Sequence, residues 1–124
     1  MFSPLAVEHI QRPRNQGPPE RYTHYGVSGE PGGGPYAEIW LTVESGVIRS
    51  ASYRTHGCPS SVGACSVLCT ISTGRELERV ITLTGQELLL ILGGLPDGKE
   101  RFAMLACAAF SAVARVDERI NGEI

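Results

Sequence analysis

Hydrophobic positions change their period near the middle of the chain. In "YAEIWLTV" (36–43) they alternate, placing Ala37, Ile39, Leu41 and Val43 on one side and Tyr36, Glu38, Trp40 and Thr42 on the other. That period of two predicts a strand. "ESG" (44–46) turns the chain into "VIRSASYRTH" (47–56), so the two runs predict a β-hairpin, and "RYTHYGVS" (21–28) predicts a third strand. Beyond Gly57 the pattern becomes helical. "SSVGACSVLCTIST" (60–73) predicts a helix stopped at Gly74. "RELERVITL" (75–83) and "GQELLLILGG" (85–94) predict short helical pieces. From Asp97 to Ile120, the apolar stripe Phe102, Leu105, Ala106, Ala109, Phe110, Val113, Val116 and Ile120 predicts a long amphipathic helix. At the front, Ser3 as N-cap and Pro4 in the first turn predict a helix over 3–11, stopped by Pro13.

Strands first and helices afterwards imply an α+β fold, a small antiparallel three-stranded sheet with helices packed on it. The 124 residues suit one domain, 1–124, with no internal repeat and no dividing linker. A hydrophobic content of 42% and a charged content of 19% are those of an ordinary globular protein. A formal net charge of -2 gives no electrostatic reason to expect nucleic acid or an anionic membrane as partner. The most apolar stretch, "FAMLACAAFSAVA" (102–114), is too short to span a bilayer. The opening "MFSPLAVEHIQRPR" lacks a basic segment leading into an apolar run, so a cytoplasmic protein is expected.

Candidate chemistry centres on the cysteines Cys58, Cys65, Cys69 and Cys107. Without a secretory signal they read as thiols, ligands or core residues rather than a disulfide framework. No CxxC pair occurs, and His9, His24 and His56 do not stand at zinc-finger spacings. Cys58 follows Gly57 where strand gives way to helix, a turn in which a thiol can be presented to a reactant. Cys65 and Cys69, at i and i+4, could share a soft metal, but they flank apolar positions and read as core. His56 could act as a base toward Cys58, although strand alternation points it to the opposite side from Gly57. "EPGGGPY" (30–36) could form an anion-binding nest of backbone N–H groups, but no phosphate-loop lysine and serine follow, which favours a plain loop.

Three stretches in order resemble the IscU/NifU N-terminal family of iron-sulfur cluster assembly scaffolds. They are "HIQRPRNQG" (9–17), "YRTHGCPSSVGACS" (53–66) and "LPDGKERF" (95–102). The resemblance implies the IscU/SufE-like fold. It also implies a site of three cysteines helped by an aspartate and a histidine. At the matching positions Gly33 stands for the first cysteine and Pro35 for the aspartate. Cys58 is the second cysteine, Arg101 replaces the histidine, and Phe102 replaces the third cysteine, while Lys99 is kept. Iron in such clusters is held mainly by thiolates, and glycine, phenylalanine and a permanently charged arginine cannot ligate. Cys107, about 140° around an ideal helix from Phe102, is no substitute, and Cys65 is about 10 Å along a helix from Cys58. An iron-sulfur cluster or zinc is therefore disfavoured within one chain.

What remains is one cysteine, enough to accept a persulfide, with Lys99 and Arg101 as electrostatic support favouring a thiolate. The expected partners are a cysteine desulfurase or other cluster-assembly proteins. Two alternatives stay open: a paralogue that keeps the fold for protein binding, and a cluster shared through Cys58 between the chains of a homo-oligomer. All three describe a scaffold, carrier or binding protein rather than an enzyme.

Overall fold

A computed structural model describes residues 2–120 of the chain, the last four of these (117–120) by their backbone alone. The order of elements is α1 (Pro4–Gln11), β1 (Arg21–Gly29), β2 (Tyr36–Glu44), β3 (Val47–His56), α2 (Pro59–Ser72), α3 (Leu77–Val80), α4 (Gly85–Leu92), α5 (Arg101–Ser111) and β4 (Ala114–Ile120). The fold is α+β, as the patterning implies.

The local signals explain most boundaries. Ser3 caps α1 by accepting a hydrogen bond from the Ala6 N–H, and its hydroxyl also donates to the Leu92 carbonyl, tying α1 to the end of α4. The hairpin between β2 and β3 closes through Ser45 (φ 51°) and Gly46 (φ 78°). Two successive left-handed residues make the tight turn that suits twisted strands, and the second is glycine because it pays no Cβ penalty there. Thr84 and Glu87 cap α4 reciprocally, each side chain bonding the other's backbone N–H.

The sheet has four antiparallel strands, in the order β3-β2-β1-β4. This corrects the three-stranded expectation, and the correction lies at the C-terminal end. The predicted helix over Asp97–Ile120 is helical only over Arg101–Ser111. After Ala112 and Val113 the chain returns as β4, pairing with β1 from Tyr25↔Ala114 to Arg21↔Ile120. The physical reason is that β1 would otherwise be an open edge, and its unpaired N–H and C=O groups bind an extended segment more favourably than solvent does.

Alternation in β2 holds except at Trp40, which is buried on the opposite face. Ala37, Ile39, Leu41 and Val43 are buried, α2 and α5 pack on that face of the sheet with Leu68 and Phe110, and Leu88 and Leu92 of α4 join the same core. Each fully buried leucine contributes about 1.5–3 kcal/mol of transfer free energy. Cys65, Cys69 and Cys107 belong to this core. On the opposite face the Glu38 carboxylate accepts hydrogen bonds from the Tyr25 hydroxyl (2.6 Å) and Arg54 Nε (2.8 Å), and Arg54 lies over the Trp40 ring. The outer edge of β3 is closed by loops: Tyr53 exchanges backbone bonds with residues 15–17, and Ile48 does so with residues 74–75. Among the described residues, no helix is long and apolar enough to cross a membrane.

Candidate functional site

The residues matched by the family resemblance gather at one end of the sheet, where three chain segments meet. These are the loop from β1 to β2, the turn from β3 into α2, and the start of α5. The turn is set by sequence: β3 runs out at His56, Gly57 follows, and Pro59 begins α2 with Cys58 in extended geometry as its N-cap. Proline suits the first helical position because its missing N–H would have no partner there. The Cys58 carbonyl accepts from the Ser61 and Val62 N–H groups and from the Ser61 hydroxyl (2.8 Å). Its thiol is half-buried, whereas the other three thiols are buried.

Gly57 is the point of a close approach. A Cβ at this position would lie 3.0 Å from Phe102 Cε1 and 3.1 Å from Ser61 Oγ. Phe102, at the start of α5, is therefore pressed against the turn that presents Cys58. It is only 3% exposed yet lies outside the main core cluster, so its ring fills this end of the molecule. The Arg101 guanidinium sits 4.8 Å from the ring centroid and Lys99 Nζ 6.0 Å from it. Both distances are within cation–π range. Arg101 also donates from Nη1 to the Gly98 carbonyl. Lys99 and Arg101 are thus placed on Phe102, one residue-contact removed from the Cys58 turn.

The glycine loop closes on itself. Gly33 and Gly34 both donate their N–H groups to the Glu30 carbonyl, and Glu30 donates to the Pro35 carbonyl. Two of the N–H groups that a nest would need are already engaged, so the loop is not an anion cradle. Pro35 and Phe102 line one apolar groove of about 400 Å³ together with Arg101, Met104 and Leu105. Gly33 instead borders a second hollow of about 490 Å³ with Tyr36 and His56. His56 is stacked on Tyr36, with centroids 6.2 Å apart, on the sheet face away from α2. Its ring is engaged there rather than with Cys58.

Burial sets the chemistry of the remaining groups. Desolvation pushes the Cys65 and Cys107 thiols up to about 12, and raises Cys69 well above the ordinary value. These three are inert as nucleophiles. His24 is held below the usual histidine value by burial and by Arg115. Its Nδ1 lies 2.8 Å from the Thr23 hydroxyl, so it is a structural residue. His9, which sequence reading left without a role, is buried against Ser66 with Nδ1···Oγ at 2.7 Å, and Ser66 Oγ also accepts from the Arg14 N–H. The "HIQRPRN" stretch thereby fastens α1 and its following loop to α2. The bond joins residues 57 positions apart, and a serine in a helical run carries no signal of such a partner.

An iron-sulfur cluster needs several soft donors around one point. Here the surroundings of Cys58 supply a phenyl ring, two cations and glycine backbone, and no three His, Cys, Asp or Glu side chains come together among the described residues. This donor set does not fit a cluster held within one chain.

Comparison with known proteins identifies the family of the chain. The chain is 29% identical over 124 residues to iron-sulfur cluster assembly scaffold protein IscU 1 of Archaeoglobus fulgidus, covering all of this chain and 81% of that protein. It is 30% identical over 120 residues to IscU of Azotobacter vinelandii, covering 92% of this chain and 91% of that one. Among solved structures, a proposed iron-sulfur cluster assembly scaffold protein for the SUF system from Fervidobacterium islandicum superposes with a TM-score of 0.64. It is 12% identical, with 89% of this chain and 93% of that chain covered, which shows a shared fold. The profile of the NifU-like N terminal domain matches residues 1–122, and the chain belongs to that family.

Proposed function

We propose that this protein serves iron-sulfur cluster assembly as a sulfur carrier, with Cys58 as the acceptor. The observation that supports this reading is the contrast between one half-buried thiol at a helix start and three thiols sealed in the core. In the transfer, the Cys58 thiolate attacks the terminal sulfur of a persulfide held by a donor of the cysteine desulfurase class. The donor's S–S bond breaks, the donor leaves as a thiolate, and Cys58 becomes a persulfide. One sulfur atom moves and no outside oxidant or reductant is needed. The new sulfur anion would lie at the N-terminus of α2, where partial positive charge favours it, with Lys99 and Arg101 held on the Phe102 ring that packs against Gly57. Scaffold names among the relatives bring cluster assembly to this chain as context, while its own residues support handling of sulfur rather than of iron.

A second reading is favoured by Phe102. A ring seated against Gly57 and covered by two cations makes a filled surface suited to holding a partner rather than a ligand. The test is native mass spectrometry of anaerobic protein, before and after incubation with a cysteine desulfurase, cysteine and ferrous iron. Sulfur acceptance predicts a gain of one or more sulfur atoms that Cys58→Ala abolishes. An unchanged mass, with desulfurase binding retained by Cys58→Ala, would favour the binding reading instead. A mass matching iron plus sulfide would mean that several chains share one cluster through Cys58.

A further inference from the structure

A hollow lies at the opposite end of α2 from Cys58. It has a volume of about 740 Å³, with Val47, Ile71, Leu83 and Ile91 as apolar walls and two arginines, Arg75 and Arg79, against one carboxylate, Glu76, in its lining. The geometry points to a docking groove for an amphipathic helix of a partner protein, one that carries a carboxylate toward the two arginines.

Three observations choose this occupant. First, strand addition is ruled out at this end of the sheet. Ile48 N–H donates to the Arg75 carbonyl, Gly74 N–H to Ile48, and Leu77 N–H to Gly46, so the β3 edge offers no free ladder and recognition must come from side chains. Second, α4 carries exposed apolar side chains, one of which lines the groove. Ile91 is 41% exposed and its neighbour Leu90 is 82% exposed, on a helix whose other face is core. Such a ridge beside a groove exceeds what a small ligand would cover and fits a helix laid lengthwise.

Third, the rim has an excess of positive charge. The carbonyls at the end of α2 are already occupied, Leu68 by Ser72 Oγ, Cys69 by Thr73 Oγ1 and Ile71 by Arg75 Nε. Arg75 is thus held by the Ile71 carbonyl, and Arg79 is the cation less engaged within the chain. Glu76 approaches Arg79 only at 4.0 Å, with side chains 61% and 81% exposed, and such a pair is worth little. A better-placed carboxylate from outside displaces it at small cost. Because α2 has 14 residues, the groove is about 20 Å from Cys58, and a partner seated there leaves the thiol accessible.

The test pans a phage-displayed library of random 16-residue peptides on the immobilised full chain. Binders are then mapped by amide chemical shifts. Enriched peptides with apolar residues at i, i+3 or i+4 and at least one Asp or Glu are expected. They should shift the resonances of Ile71, Gly74, Arg75 and Ile91. Their affinity should fall at least about tenfold in Arg75→Glu/Arg79→Glu, and in Arg79→Glu alone if loss of the Arg75 cap disturbs the fold. Cys58→Ala should bind them as the native chain does. The proposal is overturned if no such peptide is enriched, or if the peptides bind charge-reversed protein equally well. It is also overturned if decanoate alone moves those resonances, or if the chain self-associates through this groove and loses that association on charge reversal.

Discussion

At the scale of single residues, the candidate site turns on the contact between Gly57 and Phe102. The 3.0 Å separation between a would-be Cβ and the ring is tighter than ordinary van der Waals contact, and Ser61 Oγ would be nearly as close at 3.1 Å. Gly57→Ala is therefore expected to destabilise the fold by about 1–2 kcal/mol through overpacking. Phe102→Leu should relieve most of that cost, so the double variant is more stable than the sum of the singles predicts. Urea midpoints of the four proteins decide it, and strict additivity would mean that the ring and the turn are not pressed together. The position of Cys58 was legible in sequence because Gly-Cys-Pro at a change of period marks a strand-to-helix turn. The packing of Phe102 onto that turn was not legible. It joins residues 45 positions apart, and a phenylalanine that opens an apolar helical stripe looks like any other core residue.

At the scale of elements, β4 is where pattern and structure part. Val113, Val116 and Ile120 stand three and four apart, which is the spacing of a helical face, and they continue the stripe of α5 without a proline or glycine between. Local periodicity therefore could not separate a longer helix from a turn and a strand. The decision is made by β1, whose outer edge needs a partner, and that need is invisible in the C-terminal segment itself. β2 and β3, by contrast, were legible because their alternation, their turn residues and their burial all agree. If β4 covers β1, a chain ending at Ala112 leaves that edge bare. Light scattering should then show concentration-dependent aggregation, and amides along β1 should lose protection from hydrogen exchange. A shortened chain that stays monomeric with β1 protected would show that the edge does not depend on β4.

At the scale of the whole molecule, two buried histidines tie separate parts of the chain into one pH-dependent unit. His9 joins α1 to α2 through Ser66, and His24 lies in β1 between Leu41 of β2 and Arg115 of β4. Both are held below the ordinary histidine value, in each case first by burial and then by an arginine, Arg14 for His9 and Arg115 for His24; Glu8 opposes the effect at His9. The sign follows from proton counting. Near pH 6 the unfolded chain protonates these rings while the folded chain resists, so unfolding takes up protons and stability rises with pH. The contribution is fully present above the unfolded value of 6.5 and is lost as pH falls below it, toward the depressed folded values. Each histidine can add a slope of at most about 1.4 kcal/mol per pH unit. Urea unfolding between pH 7.5 and 5.5, before carboxylates titrate appreciably, should thus show falling stability at constant m-value. His9→Gln should remove part of the slope, and His9→Gln/His24→Gln most of it. A native profile that is flat or rises toward acid would show that these rings are protonated inside the fold.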